Sequence, residues 1–177
     1  YSFLEGADKD TPADLVIDLA ETRDAKATYA FTFDPNFADN HYVFMMIIDA
    51  NNDLKGSVIS RFTMTDQDPP TIDPTSEREL FRWKSGGHNG CCLKFGPDGY
   101  LYISTGDGAP PSPPDGLSTG QGVDDLLSCI LRIDVSADSK TSTGQALPYT
   151  IPPDNPFVNM DGARGEIYAF GFRNPWR

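Results

Sequence analysis

Strand-turn-strand units recur along this chain, and the recurrence limits the folds open to it. Residues 28–33 alternate apolar and small side chains and end on Phe33, before a Pro-containing turn at 34–40 and an aromatic strand at 41–48. The same order returns at residues 92–95, which end on Phe95 before the turn 96–99 and the strand 100–104. Phe33 and Phe95 stand 62 residues apart, and Arg61 and Arg132 stand 71 apart in the matching strands 57–64 and 128–135. A Pro/Gly/Ser-rich insertion at 109–124 absorbs the difference. Residues 79–83 read as a fourth strand after a Pro/Asp-rich loop at 66–76, and residues 166–170 as the start of a further unit. Residues 1–4 read as the end of a strand, and residues 14–19, with Val16 and Ile17, as a short strand. Sheets of about four short strands with regular turn punctuation predict an all-β chain built from β-propeller blades. A β-sandwich is the alternative. A propeller removes its free sheet edges only by closing its ring, which two or three blades cannot do. Residues 1–177 are therefore expected to be part of a domain that continues on both sides.

Charge narrows the function. The chain has 14 Lys and Arg against 26 Asp and Glu, a formal net charge of −12. Phosphate backbones and anionic lipid surfaces require clustered cations, so nucleic acid and an anionic membrane face are excluded as main partners. No apolar run approaches the about 18 residues of a membrane span, and no basic-plus-apolar leader opens the chain. The acidity and the lack of nucleotide-binding motifs fit a periplasmic or secreted setting.

Several residues could carry chemistry. His88 lies in Gly-Gly-His-Asn-Gly at 86–90, where glycines let the backbone approach a ligand closely. A histidine on such a loop suits general base work, because imidazole titrates near neutral pH; capping a turn is the competing role. His41 is expected at a strand edge. Arg173 offers a planar fork and Asn174 both a donor and an acceptor, directly after a strand and Gly171; pairing of Arg173 with surface carboxylates competes. Asp107 is expected to form an Asx-turn. The Asp-rich residues 49–53 lack the spacing of a calcium loop and read as a turn. The 109–124 insertion is either a lid or a mobile loop. Cys91, Cys92 and Cys129 are odd in number, and neighbours on a strand face opposite ways, so at most one of the first two can easily meet Cys129.

Residues 86–108 (Gly-Gly-His-Asn-Gly-Cys-Cys-Leu-Lys-Phe-Gly-Pro-Asp-Gly-Tyr-Leu-Tyr-Ile-Ser-Thr-Gly-Asp-Gly) resemble the signature of the soluble glucose/sorbosone dehydrogenases. Residues 31–44, residues 130–135 with 151–157, and residues 166–177 (Glu-Ile-Tyr-Ala-Phe-Gly-Phe-Arg-Asn-Pro-Trp-Arg) resemble further landmarks of that family in the same order. The resemblance implies a six-bladed β-propeller, of which this chain holds about the first three blades. It further implies an oxidoreductase that oxidises the C1 hydroxyl of an aldose sugar with hydride transfer to pyrroloquinoline quinone. The residue matching His88 is then the base, and those matching Arg173 and Asn174 contact the cofactor. Calcium ligands are expected beyond Arg177, and an external electron acceptor such as a cytochrome follows from the chemistry. Two departures stand out. The family's Gln before the first-blade strand is replaced by Asp-Ala-Lys-Ala at 24–27, and Gly87 stands where an Asp often precedes the catalytic His. The second departure implies that the carboxylate orienting the imidazole is missing. These departures motivate the rival reading, a non-catalytic extracellular propeller that binds carbohydrate or protein; a calcium-dependent lactonase propeller would share the architecture.

Overall fold

A computed structural model describes residues 1–2, 6–51, 54–136, 139–140 and 146–176. The chain begins with an isolated bridge between Ser2 and Asp14; residues 3 and 4 of the expected first strand lie outside the described residues. Residues 14–19 are not a strand. Val16 and Ile17 pack against apolar side chains of the first sheet, but helix α1 (Leu19–Arg23) follows at once. Asp18 decides this, because its side chain accepts the N–H groups of Ala20 and Glu21 and so caps a helix start.

The first sheet takes β1 (Ala25–Phe33), β2 (Tyr42–Asp49), β3 (Ser57–Met64) and β4 (Ile72–Trp83) in chain order, all antiparallel, with helix α2 (Phe37–Asn40) between β1 and β2. Strand β4 starts earlier than the Pro/Asp composition of 66–76 predicts. Near that bulged end, the Ser76 hydroxyl receives the Thr63 N–H at 2.8 Å in place of a ladder carbonyl. The second sheet is built from β5 (Gly90–Phe95), β6 (Leu101–Thr105) and β7 (Cys129–Ile133). A two-residue pair, β8 (Ser139–Lys140) with β9 (Ala146–Leu147), follows, and then β10 (Ile167–Phe170), which pairs with β7. Residues 166–170 thus complete the second sheet instead of opening a new unit. Each sheet is a meander of successive strands. A sandwich would send the chain back and forth between sheets, so the topology is that of propeller blades, and the all-β partial propeller expected from the repeat is what the chain forms.

Strand β2 explains how the sheets join. Its side chains alternate: Phe44, Met46 and Ile48 enter the core shared with Leu101, Ile103, Leu131, Ile133 and Ile167, while Val43, Met45 and Ile47 pack with Phe62 and Ile72 on the other face. Both faces are covered, which is why this strand is continuously apolar. The repeated arginines occupy comparable places. Arg61 lies 3.9 Å over the Tyr42 ring, and Arg132 lies 5.1 and 4.9 Å over the Tyr100 and Tyr168 rings.

Glu166, just before β10, is 4% exposed and accepts from Arg164 Nη2 at 2.8 Å, Arg164 Nε at 3.2 Å and the Tyr149 hydroxyl at 2.8 Å. Burial is the largest single influence and would raise its carboxyl, but the hydrogen bonds and charge of Arg164, a backbone N–H and the Tyr149 hydroxyl together outweigh it and hold the group below the usual 4.5. A depressed carboxylate stabilises the fold above its unfolded value and loses that contribution as pH falls through the folded one. Glu166→Gln is therefore expected to cost about 1.5–3 kcal/mol at neutral pH, toward the low end because the Arg164 side chain is partly exposed. The deficit should shrink as pH falls below 4.5, which denaturant titrations of the full-length variant at several pH values would measure.

Candidate active site

The site forms where the connection into β5 meets the one leaving β6. Residues 86–89 run beside residues 106–109, with His88 N–H donating to Ala109 O at 3.0 Å and Gly108 N–H to His88 O at 2.9 Å. A Cβ at Gly86 would fall 1.8 Å from Gly108 O, and one at Gly106 would fall 2.3 Å from His88 O. The glycine richness thus serves contact between two backbones, where the sequence suggested approach to a ligand. Asn89 closes the loop on itself: its Oδ1 receives Gly86 N–H at 2.7 Å, and its Nδ2 donates to Gly86 O at 2.9 Å.

His88 is 8% exposed and lies 2.8 Å, Nδ1 to Oδ1, from Asp107, itself 1% exposed. An ionised carboxylate only accepts, so Nδ1 carries the hydrogen, and in the neutral imidazole Nε2 is then the atom with the lone pair. Nε2 has no partner among the described residues. The expectation that no carboxylate orients the imidazole is therefore corrected: it comes from Asp107, at the far side of the hairpin, and not from position 87. Asp107 also makes the Asx-turn anticipated for it, receiving Ala109 N–H on the same Oδ1 at 2.9 Å. Its Oδ2 is buried without a partner among the described residues.

The backbone of Asp107 extends the site, its N–H donating to Arg173 O at 2.9 Å. Asn174 Oδ1 receives Gly90 N–H at 3.1 Å, and the Ser104 hydroxyl donates to Pro175 O at 2.9 Å. These bonds bring His88, Arg173 and Asn174 to one end of the second sheet. The Arg173 side chain is exposed and spends one N–H on Pro111 O at 3.1 Å. Its remaining donors and the Asn174 amide nitrogen have no partner among the described residues. Arg173 and Asp107 border a hollow of about 220 Å³ with Ser128 and Gln121.

The 109–124 insertion is pinned at both ends. Ala109 and Thr119 are buried, the Thr119 hydroxyl donates to Asp107 O at 3.2 Å, and Asp115 Oδ1 receives Thr119 N–H at 2.8 Å. Residues 110–118 between these anchors are exposed. His41 is partly exposed, as expected, and stands just before β2, where its carbonyl receives Met64 N–H at 2.9 Å; with φ 55° it also caps α2, and it pairs with Asp66 at 3.1 Å. All three cysteines are free thiols. Burial pushes the Cys129 thiol up to about 12 and Cys91 higher still, which leaves both inert as nucleophiles. Residues 52 and 53 of the expected acidic turn lie outside the described residues, and no helix is long and apolar enough to cross a membrane. Among the described residues no three or more His, Cys, Asp or Glu side chains group to hold a metal ion.

Residues 28–176 match the family model described as glucose/sorbosone dehydrogenase. The HIPL2 protein of Arabidopsis thaliana is 41% identical over 133 residues, 68% of this chain and 19% of that protein. The mouse Hedgehog-interacting protein is 28% identical over 87% of this chain and 22% of its own length. The aldose sugar dehydrogenase YliI of Escherichia coli is 29% identical over 80% of this chain and 34% of its own. The chain thus spans no more than about a third of these relatives. Among solved structures, the apo form of the soluble E. coli aldose sugar dehydrogenase superposes with a TM-score of 0.60 at 28% identity, covering 81% of this chain and 37% of that one. The PQQ-bound aldose sugar dehydrogenase of Streptomyces coelicolor gives 0.58 at 25% identity, covering 84% and 37%.

Proposed function

This chain belongs to the glucose/sorbosone dehydrogenase family, and on that premise we propose that it is part of an oxidoreductase that oxidises the C1 hydroxyl of an aldose with pyrroloquinoline quinone as cofactor. The observation that carries the proposal is His88, fixed through Nδ1 by buried Asp107 with Nε2 left free to accept a proton. Pyrroloquinoline quinone, when bound, supplies the acceptor for the hydride that leaves C1. The residues present fit such a group, since the unspent donors of Arg173 and the Asn174 amide suit an acidic, oxygen-rich ring system.

His88 Nε2 takes the proton from the C1 hydroxyl as the C1–H bond loses its hydride, and the sugar leaves as a lactone. Asp107 keeps the imidazole in the accepting tautomer and offsets the positive charge it gains. Arg173 would hold the acceptor's oxygens and offer a cation to the negative charge they gain, which would lower the barrier. Asn174 sets the position of the loop through Gly90. The reading includes calcium, a periplasmic or secreted location, and an external electron acceptor such as a cytochrome that restores the cofactor.

A second reading, a non-catalytic extracellular propeller, draws support from the similarity to the Hedgehog-interacting protein. Dye-linked oxidation of aldoses by the full-length protein, with pyrroloquinoline quinone and calcium added, separates the two. Quinone-dependent dye reduction with saturable quinone binding is the expected result. Absence of both would overturn the oxidoreductase reading in favour of the second.

A further inference from the structure

Beside the His88 loop lies a cleft of about 580 Å³ whose charged lining is one-sided. It gathers Lys26 from the start of β1, Lys84 just after β4, and Tyr29 against the backbone of Gly86, Gly87 and Gly108. No Asp or Glu lines it among the described residues. In a chain with 26 acidic residues against 14 basic ones, two lysines lining one cleft with no carboxylate among the described residues are a local reversal of the overall charge. Neither ammonium has a partner among the described residues; Lys26 is exposed and Lys84 half-buried. Asn89, the cleft's other polar side chain beside Ser85 and Tyr29, is spent on Gly86.

We propose that this cleft selects aldoses carrying an anionic substituent away from C1, a carboxylate or a phosphate, with Lys26 and Lys84 as the groups that bind it. The proposal rests on the aldose-oxidising reading above and names its substrate class. His88 itself does not line the cleft, but its neighbours Gly86, Gly87 and Asn89 do, and a sugar that presents C1 to His88 Nε2 would extend its distal end past this loop toward the lysines. The anionic group takes no part in the oxidation: the bond broken is C1–H, the proton goes to His88, and the hydride goes to the quinone. The lysines act as strongly hydrated point charges, so the preference should weaken as salt screens them.

The test compares kcat/KM of the full-length, quinone-loaded protein for glucose, glucuronate and glucose 6-phosphate, and repeats it with Lys26→Gln and Lys84→Gln combined. The expected result is a preference for at least one anionic sugar of about tenfold or more, the scale of one charge-assisted hydrogen bond, which the double variant abolishes. The choice between glucuronate and glucose 6-phosphate identifies the substituent. Preference for glucose, or a preference unchanged in the double variant, would overturn the proposal. Calorimetric binding of the same two anions to the full-length protein gives a readout independent of turnover. Binding that depends on the lysines without any oxidation would uphold the cleft while removing the dehydrogenase reading; oxidation of glucose without such binding would do the reverse.

Discussion

His88→Ala in the full-length protein is expected to lower kcat/KM for aldose oxidation by about a hundredfold to ten-thousandfold, the usual worth of a positioned general base. The change removes the only acceptor at Nε2 and leaves Asp107 buried beside an empty space. Backbone pairing of the loop uses His88 N–H and C=O, which alanine retains, so the loop should keep its place against residues 106–109. His88→Gln is a second probe, because it fills the space and can hydrogen-bond to Asp107 yet cannot accept the proton. Both variants should bind pyrroloquinoline quinone with near-normal affinity while turning over slowly. Turnover of His88→Ala within a few fold of the parent protein, measured by dye reduction under saturating quinone, would remove His88 from the role of base.

Much of the scaffold could be read from sequence because it rests on short-range signals. Strands β1, β2 and β3 announce themselves through alternation and turn residues, and the matched arginines at 61 and 132 marked the repeat. Signals that compete locally were read wrongly. Val16 and Ile17 favour a strand, yet the Asp18 cap converts the next residues into a helix. Residues 166–170 carry strand propensity but no label of their sheet, since pairing with β7 is a contact across the intervening insertion and the short pair β8–β9.

The candidate site divides in the same way. His88, Arg173 and Asn174 drew attention as unusual residue types beside glycines. Asp107 looked like an ordinary turn residue, and half of that reading is correct. Its second role depends on the hairpin: residues 86–89 run back along residues 106–109, with a register shift between Gly90 and Leu93, and this brings the His88 side chain onto Asp107. A carboxylate sought only next to the histidine in sequence is missed, because across an antiparallel pair the neighbour in space is far along the chain. The lysine cleft escaped for the same reason, since Lys26 and Lys84 come together only when the first and last strands of one sheet end beside the same loop.

Asp107 carries the other large expectation, and two substitutions separate its geometric and electrostatic parts. In Asp107→Ala, the His88 Nδ1–H and the Ala109 N–H both lose their shared acceptor in a buried place. Unpaired buried donors cost about 1–3 kcal/mol each, so this variant should unfold at lower denaturant. The imidazole is then free to change tautomer and orientation, and kcat should fall about a thousandfold, approaching the loss in His88→Ala. Asp107→Asn behaves differently. Ala109 N–H can only donate, so it selects the amide oxygen at the Oδ1 position, and that oxygen can still accept from Nδ1 as well. Tautomer and orientation survive, and only the negative charge facing the developing imidazolium is lost. The Asn variant should therefore keep most of its stability and lose about tenfold to a hundredfold in kcat, with KM little changed, because the charge matters after proton transfer begins and not in sugar binding. Stopped-flow measurement of the first turnover under saturating quinone reads that step directly. A parent-like rate in Asp107→Ala would show that the His88–Asp107 contact plays no part in turnover. Equal losses in the Ala and Asn variants would place the whole effect in the charge and none in the orientation.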